Sequence, residues 1–221
     1  MKPGIVRATT DDTHLFVITL FSMAGFFSLF KLRNIGPLDF WWWFSAIILV
    51  LMLLVISSDR EFLKKVATDV RNNTVKKILY GSISAVSLYF IFFTGSLLSR
   101  LIFAFADLRI AEIYGMKSGH SLWKIVPLLV FIIGPGEELF WRGFLQRRYT
   151  QTYGRVTGYI LSVSFYTLIH AGSGNKILIL AACIGGLFWG WLYLWKNSIL
   201  LNMTSHTLWD IAVFIMFPFT G

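Results

Sequence analysis

Glu137, Glu138, Arg142, His170, His206 and Asp210 stand inside segments that are otherwise apolar. These side chains move protons, steady oxyanions or ligate metals. A charge at the centre of a bilayer costs roughly 2.5–3.5 kcal/mol on insertion scales, so several together should face one another across a bundle interior. In Gly136-Glu137-Glu138-Leu139-Phe140-Trp141-Arg142 the second carboxylate and the guanidinium are four residues apart, with the acid on the N-terminal side. That spacing is roughly 40° around a helix and is the favourable order for an ion pair. Glu137 lies about 100° from Glu138 and about 140° from Arg142. It is therefore not that arginine's natural partner, and it is the better general base. His170 closes an apolar run and is followed by Ala171-Gly172-Ser173-Gly174-Asn175, a sequence that stops a helix. His206 and Asp210 are four apart on one face, where the acid can orient the imidazole or share in binding.

Glu137, His170, His206 and Asp210 are also credible zinc ligands, although no His-Glu-x-x-His is present. With neutral histidines the three carboxylates and one guanidinium sum to −2. Protons or a cation must compensate that charge in a low dielectric. Proton uptake is the simpler answer, so no cofactor is favoured; a divalent metal such as zinc on Glu137, His170 and His206 is the alternative.

The elements that carry these groups read as membrane helices. Of 221 residues, 56% are apolar and 14% charged, against the usual ~45–50% and ~25% of soluble domains. Clean apolar stretches run over 15–30, 40–58, 78–99 and 177–195, each near the length of a crossing. Three more, 122–146, 156–170 and 198–219, are interrupted by the ionisable residues above. The segment 101–114 alternates apolar residues with Asp107, Arg109 and Glu112 and reads as an interfacial helix. The expected fold class is an all-α polytopic transmembrane bundle of seven or eight spans. Residues 1–118 would form N-terminal transmembrane helices plus the interfacial helix, and 119–221 the core that holds the polar set.

The net charge of +9 does not point to nucleic acid, because the bases gather in short connections: Arg60, Lys64, Lys65, Arg71, Lys76 and Lys77. There they act as topology signals and contacts for the lipid bilayer's anionic headgroups, placing the N-terminus in the cytoplasm. The first apolar run, preceded by Lys2 and Arg7, reads as a retained anchor. Trp41, Trp42 and Trp43 open the second span as an aromatic belt. Pro135 should kink its helix just before the acids, and Gly186 with Gly190 should admit a close neighbour. Cys183 is a packed thiol with no internal partner.

The order Glu137-Glu138-x-x-x-Arg142, a histidine closing the next helix, then His206-x-x-x-Asp210 resembles the CPBP family, the CAAX-processing and bacteriocin-processing membrane proteases also called Abi proteins. The resemblance covers about residues 120–215. It departs from the family pattern at two places: Tyr166 takes the position four before His170 where phenylalanine is usual, and Asp210 stands where asparagine is frequent. What the resemblance implies is an intramembrane endopeptidase of a multi-pass protein, in the plasma membrane if the source is bacterial. Glu137 and His170 would activate a water, and His206 with position 210 would stabilise the oxyanion. Its substrate would be a peptide or membrane protein. The family also includes non-catalytic membrane scaffolds and bacteriocin immunity proteins, which is the alternative reading.

Overall fold

A computed structural model describes residues 10–219, and among them every regular element is helical. Lys2 and Arg7 lie outside the described residues. The helices are α1 (Thr10–Leu32), α2 (Phe40–Ser58), α3 (Phe62–Arg71), α4 (Thr74–Ile102) and α5 (Ala106–Gly115). The continuous run 122–153 follows as α6, then α7 (Arg155–His170), α8 (Lys176–Lys196) and α9 (Ile199–Ile211), which continues in a wide turn through Met216. Five helices are long and apolar enough to cross a membrane: Thr13–Leu32, Phe40–Ser58, Thr74–Ile102, Lys176–Lys196 and Ile199–Met216. The other two expected crossings are helical as well, but α7 is 16 residues long and α6 is interrupted by changes of hydrogen-bond register.

Those interruptions bracket the acids. In α6, ordinary helix over Leu122–Leu128 gives way to π-helix over Leu129–Ile133, returns over Gly134–Glu138, widens again over Leu139–Gln146 and ends as α-helix over Arg147–Tyr153. The cause of the first widening is Pro135, which has no N–H to give and whose ring crowds the carbonyl four residues back. The Gly134 amide reaches past that point and donates to Leu129 O, five residues earlier. Wide turns of this kind recur at functional sites.

Helix ends are capped as their residue types dictate. Asp39 accepts from the amides of Trp41 and Trp42 at the start of α2. Asn175 does so from Ile177 and Leu178 at the start of α8, and Ser198 from Leu201 at the start of α9. Each leaves fewer orphan donors at a buried end. Glycines set the closest approaches. A Cβ on Gly81 of α4 would sit 2.7 Å from the Leu201 carbonyl of α9, and one on Gly134 would sit 2.6 Å from Thr207 Oγ1. Gly186 and Gly190 face Tyr166 and Tyr159 of α7. Their carbonyls accept from Arg142 Nη2 (3.4 Å) and Gln146 Nε2 (2.9 Å) of α6. The two glycines thus let polar arms of one helix read the backbone of another.

The tryptophan triplet corrects the belt expectation. Trp42 is 48% exposed, but Trp41 and Trp43 are 3% and 8% exposed, because consecutive helical residues point about 100° apart and cannot all face lipid. Trp41 instead donates from Nε1 to Met116 O at 3.2 Å. The interfacial segment also shifts: Leu101 and Ile102 complete α4, and the short helix begins only at Ala106. It buries Ala106 and Ile110, pairs Arg109 with Glu112 at 2.9 Å, and is tied to the α8 cap by Asn175 Nδ2 donating to Arg109 O.

Candidate active site

Glu138 is the hub. Its Oε1 accepts from Arg142 Nη1 at 2.7 Å and from His206 Nδ1 at 2.8 Å, while Oε2 accepts from Asn202 Nδ2 at 3.0 Å. The carboxylate and the guanidinium are fully enclosed, at 0% and 1% exposure. A buried charge survives only when paired and hydrogen-bonded, and here both conditions hold. Arg142 is further held over the rings of Tyr166 and Trp189, at 4.8 and 5.6 Å, a cation–π arrangement in which the flat guanidinium excels.

This hub fixes His206. A carboxylate only accepts, so His206 Nδ1 carries the hydrogen and Nε2 is the nitrogen left for chemistry. The ring lies flat against Trp189, with centroids 3.7 Å apart and planes 20° apart. Nε2 faces two more carboxylates, Glu137 Oε2 and Asp210 Oδ1, each at 3.8 Å. The sequence left Asp210 either to orient the imidazole or to share in binding. Nδ1 donates to Glu138 instead, because the neighbouring helix presents that carboxylate at the opposite edge of the ring. Asp210 stands beyond hydrogen-bonding distance on the Nε2 side.

His170 ends α7. Its Nδ1 lies 2.7 Å from Tyr166 O; a carbonyl only accepts, so Nδ1 again bears the hydrogen and Nε2 is free. Phe30 of α1 packs against the ring at a centroid distance of 4.3 Å. The stop after His170 is a single 3-10 turn, Ala171–Ser173. Gly172 in that turn presses on the Phe27 backbone, a fit that a Cβ would prevent.

Glu137, His170, His206 and Asp210 all line one cavity of about 100 Å³, walled also by Trp41, Phe44, Tyr166, Trp189 and Trp209. That is room for several waters, each needing on the order of 10–15 Å³ of such space. Glu137 Oε1 is buried with no protein hydrogen-bond partner, and such a group calls for a solvent or substrate donor. Glu138 and Arg142 sit behind this cavity as its support. An apolar hollow of about 130 Å³ adjoins it, and the two share Phe92, Leu178, Ala181, Trp209 and Phe214.

Among the described residues no three His, Cys, Asp or Glu side chains are grouped as a metal ion would need. The Nδ1 of each site histidine is engaged, which leaves the two Nε2 atoms open toward the cavity.

Sequence reasoning passed over Asn202 and Trp189. Asn202 was within reach, because 202, 206 and 210 repeat at intervals of four and line one helix face. Nothing local marks Trp189, which meets His206 only through the packing of α8 on α9.

Residues 118–212 match the protein family described as Type II CAAX prenyl endopeptidase Rce1-like. This segment contains all six site candidates. No curated protein and no solved structure matches the chain.

Proposed function

Starting from an Rce1-like, CAAX-protease segment over residues 118–212 on a bundle with five membrane-length apolar helices, we propose that this protein is an intramembrane endopeptidase whose nucleophile is a water activated by Glu137. One observation carries the reading: a partnerless buried carboxylate oxygen of Glu137 borders the same small cavity as His170, His206 and Asp210.

In this mechanism a cavity water lies between Glu137 and Nε2 of His170. As the water oxygen bonds to the scissile carbonyl carbon, its proton passes to the Glu137 carboxylate. The carbonyl oxygen becomes an oxyanion beside His206, whose imidazolium, held by Glu138, donates from Nε2. Collapse breaks the C–N bond, and the proton held by Glu137 goes to the leaving amine. Asp210 balances charge on the Nε2 side. We read the chemistry as metal-free, and no step uses a metal.

Such a site acts on a peptide segment that has unwound, since a helix keeps its carbonyls in its own hydrogen bonds. The adjoining apolar hollow would hold an apolar group of the substrate, whether a side chain or the prenyl chain that the matched family's name carries. We also read α6 and α7 as crossings, for seven spans. The connections support this count by sorting to two ends: Asp59 pairs with Arg147 and Asp69 with the start of α9 at one end, while Asp39 pairs with Lys124 and Arg100 reaches Phe219 O at the other.

The test is to compare newly formed N-termini in membranes from cells carrying native protein or Glu137→Gln, by N-terminal labelling and mass spectrometry. Termini present only with the native chain are expected. Identical profiles, with Glu137→Gln folded and membrane-inserted, would discard the protease reading in favour of a scaffold.

A further inference from the structure

A second hollow lies away from the cavity above, at the end where α2 closes and α4 begins. It holds about 520 Å³. Its lining bears Lys64, Lys65, Lys77 and Arg147 against Glu61 and Asp69; with Asp59, the partner of Arg147, counted as well, one positive charge is in surplus. The two partly buried acids of this end are already satisfied. Arg147 donates to Asp59. Asp69 takes Lys77 Nζ at 2.6 Å on one oxygen, and the Ser198 hydroxyl and Leu200 amide on the other. Lys64 meets Glu61 at 3.0 Å, but both side chains are more than half exposed, and such pairs hold little. Lys65 also acts on Asp59 through its charge, but among the described residues it makes no ion pair within 4 Å.

Neutral donors complete the picture. The Tyr193 hydroxyl and the side-chain amides of Asn72 and Asn197 line the same hollow, and none makes a side-chain hydrogen bond among the described residues. Surplus positive charge, together with uncommitted O–H and N–H donors around a wet concavity, matches an anion with several acceptor oxygens.

We propose that this hollow binds a phosphate group, with Lys64 and Lys65 supplying charge and Tyr193, Asn72 and Asn197 supplying directional hydrogen bonds. The group comes either from a lipid headgroup or from free phosphate. The hollow is also walled by Gly143 and Arg147 of α6 and by Ile199 of α9, so an occupant bridges the two helices that carry the carboxylates and His206, and stabilises their junction.

The experiment measures thermal unfolding of the full chain, and so does not depend on any cleavage. In one arm the detergent-solubilised protein is titrated with inorganic phosphate against chloride at matched ionic strength. In the other it is placed in phosphatidylcholine vesicles with or without phosphatidylglycerol. The native midpoint should rise in at least one arm. A rise confined to phosphatidylglycerol assigns the headgroup, and a rise with inorganic phosphate assigns the free ion. Tyr193→Phe keeps the charge and should weaken the apparent affinity about tenfold, the equivalent of one charge-assisted hydrogen bond; Lys64→Gln with Lys65→Gln should do at least as much. No stabilisation of the native chain in either arm would overturn the proposal. So would a response that Tyr193→Phe and the lysine pair leave unchanged, since that is attraction to the surface at large.

Discussion

Asn202→Leu is the most informative single change. Asn202 is fully buried and gives one hydrogen to Glu138 Oε2 at 3.0 Å and one to Trp189 O at 2.8 Å. Leucine is of similar size but donates nothing. Glu138 Oε2 then loses its partner inside the protein, a charged bond of about 1.5–3 kcal/mol, while the Trp189 carbonyl, inside α8, keeps its in-helix partner. The expected loss is about 1.5–3 kcal/mol, measurable by denaturant or thermal unfolding in detergent. A cycle with Glu138→Gln apportions it: two groups in one network should couple by at least about 0.5 kcal/mol. Function should fall with stability but for a separate reason. A Glu138 freed on one side can swing off His206 Nδ1, so turnover of a substrate found by terminal labelling should drop about tenfold or more, with KM little changed. A loss under about 0.5 kcal/mol, or strict additivity with Glu138→Gln, would refute the claim that Asn202 holds the hub.

Other consequences are as direct. Gly81→Ala drives a Cβ to within 2.7 Å of the Leu201 carbonyl and should cost about 1–3 kcal/mol by overpacking the α4–α9 crossing; an unchanged midpoint would show that the helices can part freely. Asp59 resists ionisation through burial, yet the Arg147 hydrogen bond and charge outweigh this and hold its carboxyl below the ordinary value. Its stabilisation is therefore complete above the unfolded value near ~3.9 and is lost as pH falls through the lower folded value. Native protein should exceed Asp59→Asn in midpoint at neutral pH, and the gap should close towards pH ~3; a gap that widened with acid would reverse the sign. On the metal-free reading, exhaustive chelation should leave cleavage intact, and activity lost to chelator and restored by zinc would replace that reading.

What the sequence disclosed was what depends on short spacing. The Glu138–Arg142 pair follows from four residues of one helix, and the break after His170 from the chemistry of Gly172 to Asn175. The apolar periodicity likewise announces the long helices. Depth was harder to read. A uniform rise of about 1.5 Å per residue fails across Leu129–Ile133 and Leu139–Gln146, where the register changes and composition gives no sign except Pro135. Contacts between distant helices were hidden too: Trp189 beneath His206, Asp69 at the head of α9, and two of three tryptophans turned inward. Each is decided by which helix comes next to which, and single-chain periodicity is silent on that.

Outside the apolar layer, the Asp69 carboxylate grips the Leu200 amide and the Ser198 hydroxyl at the head of α9 and the ammonium of Lys77, and so sets how far α9 can slide along its axis. A slip of one residue would move His206 by about 1.5 Å, enough to uncouple it from Glu138. The alignment of the deepest histidine is thus governed by an anchor at the rim, and a lesion there would silence the interior without touching it.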